Sequence, residues 1–157
     1  MKLAEFVVKD AIVADLKATD RNGVIRELVA ALVSAGAIDD GDGEAVAKSI
    51  IQRENQGSTG FGKGVAVPHV KHAKIKKIIT TIGRSAAGVD FAALDRTPVY
   101  TVVLLLSPSA NPDGHLQAME SIFRHLQRDQ FRRFLRQSES SDAIMELIQE
   151  ADEISID

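Results

Sequence analysis

No cysteine occurs among the 157 residues. Disulfides, thiolate nucleophiles and cysteine-ligated zinc are therefore excluded together. Positive charge is not in surplus either. The 19 Lys and Arg stand against 22 Asp and Glu, a net charge of -3, whereas nucleic-acid-binding domains usually show a basic excess. Long apolar runs are missing. A run such as Val102 to Leu106 is far too short to cross a bilayer. The opening stretch MKLAEFVVKDAIVADL has acidic residues where a secretory leader would have its apolar core. There is no internal repeat, no low-complexity tract and no interdomain linker. The acidic DDGDGE, Asp39 to Glu44, reads as a turn between helices. The remaining composition, 45% hydrophobic and 26% charged, is that of a globular domain. The expectation is one domain over residues 1–157, cytoplasmic, with no membrane insertion and no nucleic-acid partner.

Apolar spacing predicts a helix over Arg21 to Ala35, on the stripe Val24, Leu28 and Leu32, with Thr19 or Asp20 as cap and Gly36 as terminator. A second is expected over Gly43 to Glu54, capped by Asp42, with Val46, Ile50 and Ile51 inward. Val65-Ala66-Val67 and Lys77 to Gly83 read as strands. Val99 to Leu106 is apolar throughout, which marks a strand buried on both faces at the centre of a sheet. Helices follow over Gly114 to Gln127 (capped by Asp113, with Leu116, Met119, Ile122, Phe123 and Leu126 inward), Asp129 to Arg136 and Asp142 to Glu150. Helices before and after central strands give the expected fold class: α/β, a central mixed β-sheet flanked by helices on both faces.

The stretch GSTGFGKGVAVPH, Gly57 to His69, places four glycines within eight residues, then a short strand, Pro68 and His69. A histidine near neutral pH is largely unprotonated, and one ring nitrogen then carries a free lone pair able to attack a phosphoryl group. Pro68 stiffens the chain beside it. Glycines such as Gly62 and Gly64 let backbone N–H groups approach an anion. His115 opens a helix after the loop that follows the central strand, where helix N–H groups favour an anion. Arg53, with its forked guanidinium, suits the charge of a transferring phosphoryl. Each residue also has a structural reading. A histidine after a strand is commonly solvated or structural, His115 can serve the helix end, Arg53 at a helix C-terminus is favoured by the dipole, and the glycines can simply make turns.

Taken together, RENQGSTGFGKGVAVPH resembles the signature of the type-2 enzyme IIA domains of the bacterial phosphotransferase system, the fructose, mannitol and nitrogen-regulatory group. The matching residues are Arg53-Glu54, Gly57-Ser58-Thr59-Gly60 and Gly62 to His69. The later GVDFAALDRTPV and the pair His115-Leu116 fit as well, so the resemblance covers Leu16 to Glu150. It implies that His69 accepts phosphoryl from an HPr-type phosphocarrier and passes it to an enzyme IIB or keeps it as a regulatory signal. It implies His115 as the second active-site histidine, Arg53 in the site, and Thr59 as a further contact; no cofactor is implied. Phe61 and Lys63 depart from the small or aliphatic residues usual in the glycine loop, and Val70-Lys71-His72 is not the usual continuation. These departures bear on the partner, because none removes a chemical group.

Two other readings are open from the sequence. His69 and His72, three apart, could join His115 around a metal in a hydrolase, although no HExxH pattern is present. Alternatively the domain is a regulatory module of the same fold that transfers nothing. No IIB, permease or DNA-binding segment lies within the 157 residues, which favours a carrier or regulator acting in trans. Docking is expected around a shallow, partly apolar rim, with Phe61 either exposed on it or folded back on the core, and with Lys63 and Lys71 steering an acidic partner.

Overall fold

The computed structural model describes residues 1–154. Its sheet is built on β5 (Val99–Pro108), whose residues Val102 to Leu106 are essentially without solvent exposure. That is what an unbroken apolar run requires, because side chains alternate between the two faces of a strand and both faces must be covered. Val102, Leu104 and Leu106 enter one core and Val103 and Leu105 the other.

Four strands precede β5, and three of them lie along one side of it. β1 (Gly60–Gly62) pairs antiparallel with β2 (Val65–Ala66). β2 and β3 (His69–His72) both run parallel to β5 on the same side, Val65 opposite Thr101 and His69 opposite Leu105. They share one register and so form a single line of chain, broken at Val67-Pro68. Proline has no N–H to give the ladder, but its carbonyl still accepts from Leu105 N at 2.9 Å. His69 reads as following a strand and Pro68. It also opens one, β3, because β5 continues alongside and offers it a partner.

β4 (Ile79–Val89) pairs antiparallel along the other edge of β5. It extends six residues beyond the expected end at Gly83. The extra residues, Arg84-Ser85-Ala86-Ala87-Gly88-Val89, have no strand pattern of their own. They extend past a register shift to bring Val89 opposite Val99. Residues 1–20 form two short 3-10 turns that lean on β4 through the bridges Val7 to Thr80 and Val13 to Gly83.

Helices cover both faces. α1 (Arg21–Ser34) and α2 (Gly43–Gln56) pack on one, burying Val24, Ile25, Leu28, Val46 and Ile50. Asp20 caps α1 by accepting from Gly23 N at 2.6 Å. α3 (Pro112–Leu126), α4 (Asp129–Gln137) and α5 (Ser141–Ile154) cover the other, with Ile122, Leu126, Phe131, Ile144 and Ile148 buried. The expected α/β class with a mixed sheet between helices is the fold observed. Two details of α3 differ. Its cap is Asn111, accepting from Gly114 N at 3.0 Å, and not Asp113, which lies inside the first turn. Leu116, expected inward, is 61% exposed, while Ala118 and Ser121 take the inner face. Starting the helix two residues earlier leaves its period unchanged, so the packing of β5 against α3 decides which stripe turns in.

Candidate functional site

Side chains two apart in a strand share a face. Val65, Val67 and His69 therefore point the same way, and Val65 and Val67 enter the core beneath α3. His69 emerges where that core ends. Its Nδ1–H donates to Val67 O at 2.8 Å. A carbonyl only accepts, so this bond places the ring proton on Nδ1. Nε2 is left with its lone pair, on a ring that is half-buried.

His115 arrives from the opposite direction, in the first turn of α3. Its ring centroid lies 5.7 Å from that of His69, with the planes tilted by 44°. The ring is buried, and its Nδ1 is 2.7 Å from Ser107 Oγ at the end of β5. Its pKa is lowered from the usual 6.5 to about 4, first by burial and then by the nearby charges of His69 and Lys71. His115 is thus a neutral ring at pH 7. Lys71, exposed and two residues after His69 on the same face, is the cation nearest to this pair by that electrostatic influence. Ser107 and Lys71 were not among the residues singled out for the site. Lys71 was legible as extra charge after His69. Ser107 carried no signal, because only the register of β3 on β5, Lys71 opposite Ser107, brings it there.

The remaining predicted residues separate. Arg53 is in the last turn of α2 and its Nη1 donates to Gly57 O at 3.1 Å, rather than to either histidine. The loop it borders returns toward the site, since Val67 N donates to Thr59 O at 3.2 Å. Thr59 is buried with its hydroxyl and its N–H both directed to the carboxylate of Glu54. It therefore ties the loop to α2. Gly62 and Gly64 lie at the far end of β2. The turn Gly62-Lys63-Gly64 has φ of 105°, 60° and 79° in succession, a left-handed path that glycine takes without strain. From Gly64 to His69 the chain advances five residues, about 15 Å at strand rise. These glycines shape a hairpin, closed by Lys63 N donating to Asp95 Oδ2 at 2.9 Å, and their N–H groups are too distant to meet a phosphoryl on His69. Lys63 goes with them.

The metal reading also meets the geometry. His69 and His72 are three apart in a strand and so project from opposite faces. The His72 ring accepts from Lys74 N at 3.0 Å. Among the described residues no group of three His, Asp or Glu is placed to hold a metal ion.

The structure is thus an open α/β sheet that brings two histidine rings together where a strand and a helix begin. Comparison with known proteins identifies the family. Residues 5–151 match the family described as the phosphoenolpyruvate-dependent sugar phosphotransferase system, EIIA 2, and the chain belongs to it. The fructose-specific EIIABC component of Bacillus subtilis is 34% identical over 97% of this chain, which spans only 24% of that longer protein. A nitrogen regulatory protein of Bradyrhizobium diazoefficiens is 33% identical over 94% of this chain and 95% of its own. Among solved structures, nitrogen regulatory protein IIA-Ntr of Neisseria meningitidis superposes with a TM-score of 0.83 at 25% identity, covering 93% of this chain and 98% of the other. The fold also matches that of enzyme IIA-Mtl in its complex with phosphorylated enzyme IIB-Mtl from Escherichia coli, with a TM-score of 0.74 at 20% identity over 90% and 95% of the two chains.

Proposed function

We propose that the protein is a phosphohistidine carrier, accepting phosphoryl on His69 Nε2 from an HPr-type donor. The observation that carries this reading is the bond from His69 Nδ1 to Val67 O. It holds the ring in the tautomer whose Nε2 is a nucleophile. In the transfer, the Nε2 lone pair forms a bond to phosphorus as the donor's own N–P bond breaks, and the donor ring keeps that electron pair. The phosphoryl carries its charge on three oxygens. His115, neutral and opposite, offers a hydrogen bond without a cation of its own, and the N-terminus of α3 adds a favourable dipole. Lys71 supplies positive charge at the rim. Arg53, at the end of α2, is engaged with Gly57 O and would have to release that bond to act as a further cation.

The phosphoryl then leaves to an enzyme IIB or persists as a signal to a regulatory target. The complex of a like-folded IIA with phosphorylated IIB supports the first route. The end-to-end similarity to a nitrogen regulatory protein supports the second. Among the described residues no helix is long and apolar enough to cross a membrane, and we place the carrier in the cytoplasm, where a phosphoenolpyruvate-fed donor would be found. Incubation with a phosphorylated HPr-type donor should give an acid-labile gain of one phosphoryl, seen by intact mass. His69→Ala should abolish it; an equal gain at an equal rate in that variant would refute the assignment.

A further inference from the structure

We propose that Ser107 is a positioning residue that fixes His115 in the tautomer opposite to that of His69, so that one ring presents a lone pair and the other an N–H. The inference deepens the carrier reading and rests on it for its catalytic meaning. Its structural part stands on three observations. Ser107 Oγ is 2.7 Å from His115 Nδ1. Ser107 has 0% exposure, so water is not available to its hydroxyl. Among the described residues, His115 is the hydrogen-bond partner recorded for that hydroxyl.

A serine hydroxyl has one hydrogen and two lone pairs. If His115 Nδ1–H donated to it, the hydroxyl hydrogen would need a second acceptor, and a buried donor left unmatched is costly. If the hydroxyl donates to Nδ1, its hydrogen is satisfied and only a lone pair is left over, the cheaper omission. The second arrangement puts the His115 proton on Nε2. The ring is neutral at pH 7, with its pKa lowered to about 4 by burial and by His69 and Lys71, so it holds one proton and the serine decides where it sits.

The backbone sets up the opposite case at the break in the strand line. Val67 O can only accept, so His69 Nδ1 must donate. The two rings, 5.7 Å apart, therefore carry different groups on the same ring position: a nucleophilic nitrogen on His69 and a donor on His115. The donor is of use only once a phosphoryl oxygen lies between them. The wrong His115 tautomer would aim a second lone pair at the phosphoryl and repel it. Ser107 reaches this place through β5, because its register partner on β3 is Lys71.

Two measurements test this. Long-range proton–nitrogen NMR of the unphosphorylated full chain at pH 7 should show His115 protonated at Nε2 and bare at Nδ1, and His69 the reverse. Ser107→Ala should turn His115 into a mixture of tautomers, and Ser107→Thr, which keeps the hydroxyl, should restore the single form. In the donor assay, Ser107→Ala should slow phosphoryl gain about tenfold, with Ser107→Thr recovering most of it. A wild-type His115 protonated at Nδ1, or a tautomer unchanged in Ser107→Ala, overturns the proposal. Normal transfer in Ser107→Ala despite a mixed tautomer overturns its catalytic part. A wild type with the expected tautomers that gains no phosphoryl overturns the carrier reading instead, because the NMR result needs no donor.

Discussion

Two histidines of one chain behave differently because of what each touches. His69 is half-buried and bonded to a carbonyl, while His115 is buried against a hydroxyl, with His69 and Lys71 nearby. The difference has a consequence for stability. In the unfolded chain, His115 takes up a proton below about pH 6.5. In the folded protein it does so only near pH 4. Between those values the unfolded state binds more protons, so the folded state loses ground as the pH falls through that window. Urea unfolding from pH 7 down to pH 4.5 should show stability declining, and His115→Gln should show a shallower decline. Equal slopes in the two proteins would mean that His115 is not held neutral.

At the scale of elements, the site depends on how α3 begins and how β5 is packed. Asn111 accepts from Gly114 N, fixing the turn that holds His115. Asn111→Ala should lower stability by about 1 kcal/mol, the usual worth of a helix cap, and should slow phosphoryl gain more than that loss implies, since His115 is displaced first. Phe61 belongs to this scale too. It packs against Phe123 with centroids 5.2 Å apart and the rings tilted by 60°, so of its two expected directions it takes the inward one and ties β1 to α3. β5 is less forgiving. Leu104 is fully buried in the core beneath α1, and Leu104→Ala should cost about 2–5 kcal/mol in chemical denaturation.

Across the whole molecule, the two ends of the described chain are fastened together behind the site. The buried carboxylate of Asp152 in α5 accepts from Leu3 N at 3.0 Å, Ala4 N at 2.8 Å and His125 Nε2 at 2.7 Å. His125 is in the same helix as His115. Asp152→Ala removes three hydrogen bonds, two of them buried, and should destabilise the fold by roughly 3 kcal/mol, measurable as a lowered urea midpoint. Proteolysis should then begin in the first residues. The proposed docking of a donor is tested at this scale as well. With Phe61 turned inward and Lys63 at the far hairpin, the exposed apolar group beside His115 is Leu116, and the cation beside it is Lys71. Leu116→Ser should leave stability within about 0.5 kcal/mol yet slow transfer from the donor. Lys71→Glu should slow it most at low salt, because screening weakens long-range steering.

The fold was legible wherever a local pattern had one physical solution. The apolar run of β5 could only be a strand covered on both sides, and the stripes of α1 and α2 could only face a core. His69 and Pro68 stood out in the sequence through residue chemistry and family resemblance alike. Other features had no local signature. Ser85 to Val89 become strand only because β5 lies beside them, and Leu116 faces out only because β5 and α3 choose another stripe. The glycines of the loop look alike in sequence, yet the hairpin carries Gly62 and Gly64 away from His69 while Thr59 returns toward it. Ser107 is one serine among many until the register of β3 on β5 sets its hydroxyl against His115. Sequence determines which groups a chain has and which short segments have a preferred shape; which groups meet is decided by strand register and helix packing, which exist only once distant segments have closed on one another.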